Sequence, residues 1–164
     1  MILPVVTIRL FDEGDAAAVV ALSLRAWEPV HAALREVMGE ELFELRHQPD
    51  WRARQQRDVE SVLSDGANNV WVAEEGETVV GFVAAAIRPE DNIGEVLMLA
   101  VDPGSQNRGL GTDLTEVATD WIRESGMPVA FISTGGDPGH APARRTYAKA
   151  GYRELPITYY LKAL

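Results

Sequence analysis

The distribution of apolar residues along the chain predicts a sheet whose strands are separated by turns and helices. The stretch VVTIRLF (5–11) alternates apolar and polar residues, which is typical of a half-buried strand. Short apolar runs bounded by turn residues predict further strands at 70–75, 78–87, 93–101 and 128–134. The final stretch, 152–164, is predicted to form a closing pair of strands interrupted near Pro156.

Helical spacing of apolar residues fills the gaps between these strands. Acidic residues open a predicted helix over 12–27. A second helix is predicted around Leu34 to Phe43, and a third follows Pro49 and Asp50. Two later helices are expected, one ending near Glu124 and one over 143–150. This order of elements predicts an α/β fold whose sheet is antiparallel in its first half.

Composition limits the class of protein. The 164 residues, 46% of them hydrophobic, suit one packed domain spanning 1–164. The net charge of −10 argues against nucleic-acid binding and favours neutral or cationic partners. The chain has no cysteine, which excludes thiol catalysis and fits a reducing compartment, so a cytoplasmic location is expected. No membrane span is expected, because no apolar run approaches about 20 residues.

The stretch SQNRGLGTD (105–113) lies between a predicted buried strand and a predicted helix. Free N–H groups at a helix N-terminus, together with the helix dipole, favour an anion. Gly109 and Gly111 would let a phosphate approach the backbone, and Arg108 adds a charged donor. The stretch fits neither a P-loop nor a dinucleotide fingerprint. On this stretch alone, a pyrophosphate cradle and an ordinary tight turn are both open.

Two blocks of residues resemble the Gcn5-related N-acetyltransferase (GNAT) superfamily. Gln106-x-x-Gly109-x-Gly111 is similar to its acetyl-CoA signature. His140-x-x-Ala143-x-x-x-Tyr147-x-x-x-Gly151-Tyr152 resembles its late N-x-x-A-x-x-x-Y-x-x-x-G-F block, with His140 where the family usually has Asn. The resemblance is specific over about residues 70–164 and only topological before that.

The resemblance implies a mixed, mostly antiparallel central sheet flanked by helices on both faces. Strands 93–101 and 128–134 would run parallel and splay apart, admitting acetyl-CoA as co-substrate. No metal is implied, and the histidines lack the spacing of metal ligands. The implied cofactor contacts are the backbone of Leu99, Ala100 and Val101, the loop residues Gln106, Asn107, Arg108, Gly109, Leu110, Gly111 and Thr112, and the later residues His140, Ala143 and Tyr147.

The reaction implied is direct acetyl transfer from a thioester to an amine. Tyr147 matches the family's tyrosine near the sulfur, where a phenol could donate a proton; the alternative is a packed core tyrosine. Glu95, on an otherwise apolar strand, is a candidate base, and ordered water is the alternative. A non-catalytic acyl-CoA sensor is the rival function, and an interaction module that binds no cofactor is a third.

The early helices are expected to build the acceptor site. Trp27 and His31 are the candidate residues to line it, and the acidic groups of 36–44 could hold an amine by charge. The alternative is that the tryptophans are core residues and the glutamates a solvated helix face. The expected partners are a small-molecule or peptide amine and, in a homodimer, a second copy of the chain.

Overall fold

A computed structural model describes residues 5–164 as a five-stranded sheet in the order β1-β2-β3-β4-β5. Neighbouring strands β1 to β4 run antiparallel, whereas β4 and β5 are parallel. The mixed sheet and its parallel pair are therefore as predicted. The strands are β1 Val6–Leu10, β2 Asn69–Glu75, β3 Thr78–Arg88, β4 Ile93–Val101 and β5 Val129–Ile132.

Five α-helices accompany the sheet, together with short 3₁₀ turns at Glu13–Asp15, Pro89–Asp91, Pro103–Ser105 and Pro138–His140. The first helix is longer than predicted, because it continues through Pro29 and ends only at Gly39, which has a φ of 78°. The predicted second helix is thus divided at that glycine. The helices are α1 Ala16–Met38, α2 Glu40–Arg46, α3 Trp51–Ser64, α4 Leu110–Glu124 and α5 Ala141–Lys149.

Helices cover both faces of the sheet. On one face, Val19 and Leu22 of α1 and Val59 of α3 are buried against Phe82 and neighbouring strand residues. On the other face, α4 buries Leu114, Ala118 and Ile122 against strands β2 to β4. The packing is tight at Gly94, where a Cβ atom would lie 2.4 Å from Cγ2 of Ile122. The sheet therefore lies between two helical layers, with β4 between β3 and β5.

The pairing of β4 changes along its length. Ala84 pairs with Met98 and Ala85 with Val96, so Leu97 is an extra residue in β4. On its other side β4 pairs with β5 only from Ile93 to Val96. Beyond that point the two parallel strands separate, which leaves 97–101 without a strand partner on this side. The expected splay is present, and it opens a gap in the sheet.

The predicted closing pair of strands is wrong. Residues 152–164 form no strand, and β5 is an edge strand within the described part of the chain. The apolar side chains of this segment are not buried: Leu155 is 81% exposed and Tyr160 is 92% exposed. An alternating apolar pattern forms a strand only when an edge and a core receive it. None of the helices described here combines the length and the apolar character that a bilayer span requires.

Candidate active site

A cavity of about 620 Å³ occupies the gap where β4 and β5 separate. Its floor is 96–101 of β4. Its sides come from Gln106, Asn107 and 109–112 in the loop and helix start, and from 132–134 at the end of β5. Helix α5 and the turn before it contribute Gly139, His140, Ala143 and Tyr147. Helices α1 and α3 add a further wall. The splayed strands therefore bring both motif blocks of the sequence to one cavity.

The loop between β4 and α4 is held by side chains that bond to its backbone. The Asp102 carboxylate accepts a hydrogen bond from the Gly104 N–H at 3.1 Å and is paired with Arg25 of α1. Gln106 Nε2 donates to the carbonyl of Val101 at 3.0 Å. These contacts fix the backbone that enters α4. Gln106, which is predicted to contact the cofactor, therefore also joins the loop to the end of β4.

Helix α4 starts at the edge of the cavity. Gly109, with a φ of 85°, is its N-cap residue, and no side chain among residues 5–164 caps the helix. The first N–H groups of an α-helix have no acceptor within the helix and carry the positive end of its dipole. A Cβ atom on Gly109 would meet nothing within 4 Å, so the space beside this turn is open. The geometry suits an anion at the helix start.

Arg108, predicted to contact the cofactor, is directed elsewhere. Its Nη2 atom lies 2.7 Å from Oε1 of Glu75, at the end of β2. It is absent from the residues that line the cavity, whereas its neighbours Asn107 and Gly109 are present. The structure thus places the backbone of this loop, and not its guanidinium, on the cavity.

Tyr147 lies in the cavity wall. Burial raises the pKa of its phenol to about 12, so the hydroxyl is protonated at neutral pH. Its ring centroid is 6.4 Å from that of Tyr152, whose hydroxyl is hydrogen-bonded to Thr119 at 2.6 Å. The two tyrosines differ in role: Tyr152 is tied to α4, and Tyr147 faces the cavity.

The turn before α5 closes one side of the cavity. His140 Nδ1 lies 2.5 Å from Oδ1 of Asp137, and Arg144 donates to the carbonyls of Gly135 and Asp137. Gly139 packs on α1 so closely that a Cβ atom there would lie 2.9 Å from Cβ of Ala33. His140 and Ala143 both line the cavity. His140 stands where the family usually has Asn, so the side chain at this position is still polar.

Glu95, the candidate base, does not line the cavity. Its Oε2 atom lies 2.6 Å from Nε of Arg88, and its surroundings are therefore charged, not apolar. No Asp or Glu is among the cavity-lining residues in the described part of the chain. The acidic groups expected to hold an amine also lie elsewhere, because Glu40 and Glu44 pair with Arg35. No residue of 36–44 lines the cavity, and an amine site beside these residues stays a prediction.

Of the two candidate acceptor residues, Trp27 lines the cavity and His31 does not. His31 is buried and stacks on Trp51, with ring centroids 4.4 Å apart. Its Nε2 atom lies 3.4 Å from Oε1 of Gln55, and Gln55 does line the cavity. Gln55 is not among the site residues predicted from the sequence. Its position four residues after Trp51, on the same face of α3, is the feature that could have identified it.

Comparison with known proteins places this site in a family. Residues 27–152 match the acetyltransferase (GNAT) family. A mycothiol acetyltransferase of Streptomyces bingchenggensis is 27% identical over 150 residues, which cover 90% of this chain and 42% of that protein. The chain therefore spans less than half the length of this curated relative.

Solved structures share the fold. The aminoglycoside N-acetyltransferase AAC(6')-Iy, bound to the bisubstrate analogue CoA-S-monomethyl-acetylneamine, superimposes with a TM-score of 0.67 at 17% identity, covering 98% of this chain and 99% of that one. The PaiA N-acetyltransferase of Thermoplasma acidophilum, in complex with coenzyme A, gives 0.64 at 16% identity, covering 88% and 87%. With the sheet, the splayed strands and the glycine loop in place, the chain belongs to the GNAT family of acetyltransferases.

Proposed function

We propose that this protein is an acetyl-CoA-dependent N-acetyltransferase that acts on a primary amine of a small molecule or peptide. The observation that carries the proposal is the cavity at the splay of β4 and β5, which has the start of α4 and the Tyr147 phenol in its walls. Family membership supports it. The names of similar proteins, a mycothiol acetyltransferase and an aminoglycoside N-acetyltransferase, also support it.

The residues of the cavity fit acetyl-CoA. The uncapped N–H groups at 109–112 suit its phosphates, and the open space at Gly109 leaves room for them. The stretch 97–101 of β4, which has no strand partner on the cavity side, offers backbone groups to an extended arm. Acetyl-CoA supplies the activated acyl group. Leu99, Ala100 and Val101, together with the loop, are the residues proposed to hold it.

The transfer exchanges one bond for another. The amine nitrogen bonds to the acetyl carbon, the carbon–sulfur bond breaks, and the sulfur leaves with the electron pair. Tyr147 is proposed to donate a proton or hydrogen bond to that sulfur, because its phenol stays protonated at neutral pH. Water is proposed to take the proton that the amine loses, since the Glu95 carboxylate is paired with Arg88.

The rival function, a non-catalytic acyl-CoA sensor, would need the cavity but not the phenol. Tyr147 on the cavity wall therefore favours the enzyme.

A cytoplasmic location is also proposed, supported by the lack of cysteine in the sequence. A homodimer stays a prediction that sedimentation can test.

The experiment that tests the function measures thiol release from acetyl-CoA with a panel of primary amines. If the protein is the proposed acetyltransferase, thiol release should depend on the amine, and the acetylated amine should be the product. Binding of acetyl-CoA without turnover on any amine would support the sensor instead. The absence of both binding and turnover would refute both functions.

A further inference from the structure

One wall of the cavity is almost entirely apolar. Helix α1 contributes Ala26, Trp27, Pro29 and Val30, and α3 contributes Gln55. Within residues 5–164, the polar side-chain groups of this wall are the Gln55 amide and the indole N–H of Trp27. A few polar groups on an apolar wall fix the orientation of a ligand. Gln55 is the candidate for acceptor specificity, because its amide is in contact with His31.

His31 does not line the cavity, but its imidazole contacts the Gln55 amide. The Nε2 atom of His31 lies 3.4 Å from Oε1 of Gln55, while His31 is packed between Phe43, His47 and Trp51. Burial lowers the pKa of His31 to about 4, so the ring is neutral at neutral pH. A neutral ring carries one proton, on one of its two nitrogens.

The surroundings of the ring decide where that proton lies. Nδ1 is buried and has no hydrogen-bond partner within residues 5–164. A buried N–H without an acceptor is rarer and more costly than a bare acceptor atom. The proton therefore lies on Nε2, which donates to Oε1 of Gln55. This contact orients the Gln55 amide with its carbonyl toward His31.

The amide nitrogen of Gln55 is left as a donor. Oε1 is engaged by His31, and Nε2 of Gln55 has no partner within the part of the chain that the structure describes. A ligand group that pairs with this amide nitrogen must accept a hydrogen bond. A carbonyl oxygen next to the reacting amine would do so.

The cavity also lacks a counter-ion for a protonated amine. Its charged side chains are cationic, from Arg145 and Lys149, and no carboxylate lines it within residues 5–164. An amine that is largely protonated in water would lose its solvation here without gaining a partner. α-Amino groups, with a pKa of about 7.7–8.0, are partly neutral near pH 7.5, whereas lysine side chains, at about 10.4, are not.

We propose that the acceptor is an α-amino group next to a carbonyl, that Gln55 donates a hydrogen bond to this carbonyl oxygen, and that His31 positions Gln55. The inference rests on the proposed acetyltransferase function and narrows its substrate class. Free amino-acyl compounds and peptide N-termini share this chemistry. Gln55 would touch the substrate, whereas His31 would act only through it.

The test compares four acceptors by thiol release from acetyl-CoA. L-Alaninamide and a short peptide with N-terminal alanine carry the α-amino and carbonyl groups, and their relative rates distinguish the two sources. 3-Methyl-2-butylamine replaces the carboxamide by an isopropyl group of similar shape. Nα-Acetyl-lysinamide offers only a side-chain amine. Rates are expressed per concentration of neutral amine, so that the ratio of alaninamide to 3-methyl-2-butylamine isolates the carbonyl contact.

The expected ratio is about two- to tenfold in favour of L-alaninamide, the value of one hydrogen bond. Gln55→Leu should bring this ratio close to one, mainly by raising the KM for L-alaninamide. His31→Leu should lower the ratio partway, because Gln55 loses its orienting partner. The matched control is Gln56→Leu, since Gln56 bonds to Glu60 and does not line the cavity.

The outcomes separate the two proposals. If no amine gives thiol release, the proposed function fails and the inference fails with it. If amines react but 3-methyl-2-butylamine or Nα-acetyl-lysinamide matches L-alaninamide, the inference alone is overturned. It is likewise overturned if Gln55→Leu, folded by its thermal unfolding, keeps the wild-type ratio.

Discussion

Arg108 and Glu75 form an ion pair, with Nη2 and Oε1 2.7 Å apart, that joins the glycine loop to the end of β2. The only guanidinium of the stretch 105–113 is thus engaged by a carboxylate of the sheet. A phosphate at the loop would have to compete with Glu75 for it. The backbone N–H groups at the start of α4 have no such competitor, and they should dominate phosphate binding.

The ion pair predicts a modest effect of Arg108 on acetyl-CoA binding. Arg108→Ala should weaken binding by less than about tenfold, because the guanidinium is paired with Glu75 and does not line the cavity. Glu75→Gln should leave the affinity equal or higher, because the guanidinium is then free for a phosphate. Calorimetric titration of acetyl-CoA measures both. A loss of more than a hundredfold in Arg108→Ala would show that the guanidinium, not the backbone, is the main contact.

The start of α4 provides a sharper prediction. A Cβ atom on Gly111 would lie 3.4 Å from Cγ2 of Thr146, which is an ordinary contact, and the residue faces the cavity. Gly111→Val should therefore fold and obstruct the phosphates. In the wild type, acetyl-CoA at a hundred times its Kd should stabilise the native state by about 2.7 kcal/mol, or roughly 5 to 11 °C in Tm.

This stabilisation should largely disappear in Gly111→Val. Gly66→Val is the matched control, because a Cβ atom on Gly66 meets nothing within 4 Å and Gly66 does not line the cavity. It should keep the full shift in Tm. An undiminished shift in Gly111→Val would place the phosphates elsewhere.

Tyr147 and Tyr152 form a second matched pair. Tyr147→Phe removes a hydroxyl from the cavity, so acetyl-CoA should still bind while kcat falls by about 10²–10⁴. Tyr152→Phe removes a hydroxyl that bonds to Thr119, so it should cost about 1 kcal/mol of stability with little change in kcat. Steady-state kinetics at saturating acetyl-CoA, together with urea unfolding, measure both. Wild-type kcat in Tyr147→Phe would remove the phenol from the reaction.

The buried imidazole of His31 predicts a loss of stability in acid. Its pKa is about 4 in the folded chain against 6.5 in the unfolded chain. Between these values the unfolded state binds more protons, so the free energy of unfolding falls as pH decreases from 6.5 to 4. The contribution lost is up to about 3 kcal/mol.

Urea unfolding of the wild type and of His31→Phe at pH 7 and pH 4.5 isolates this group, because all other groups titrate in both proteins. The wild type should lose more stability than the variant over this interval. Equal losses would mean that His31 is already solvated in the folded state.

The sequence predicted those parts of the site that depend on local chemistry. Gly109 and Gly111 serve a turn and close approach to the backbone. Both needs favour glycine, so they are visible directly in a sequence motif. The parallel, splayed strands followed from the resemblance. Tyr147 belongs to the later block of residues that carries the resemblance and lines the cavity, while its role in the reaction stays a prediction.

The parts that were missed depend on packing between distant elements. Whether His31 or Gln55 reaches the cavity is set by how α1 and α3 rotate against each other, which helical spacing alone does not determine. The pairing of Glu95 with Arg88 depends on the register of β3 and β4, including the extra residue Leu97. For 152–164, the pattern had β-propensity, but the strand edge it needed could not be identified from the sequence.

The proposed function is tested most directly by amine-dependent thiol release from acetyl-CoA, measured side by side for the wild type, Gly111→Val and Gly66→Val with a panel of primary amines that includes L-alaninamide. We expect release that requires the amine, that falls sharply in Gly111→Val and that is unchanged in Gly66→Val. The absence of thiol release by the wild type with every amine, or wild-type release by Gly111→Val, would contradict the proposed function or its cofactor site.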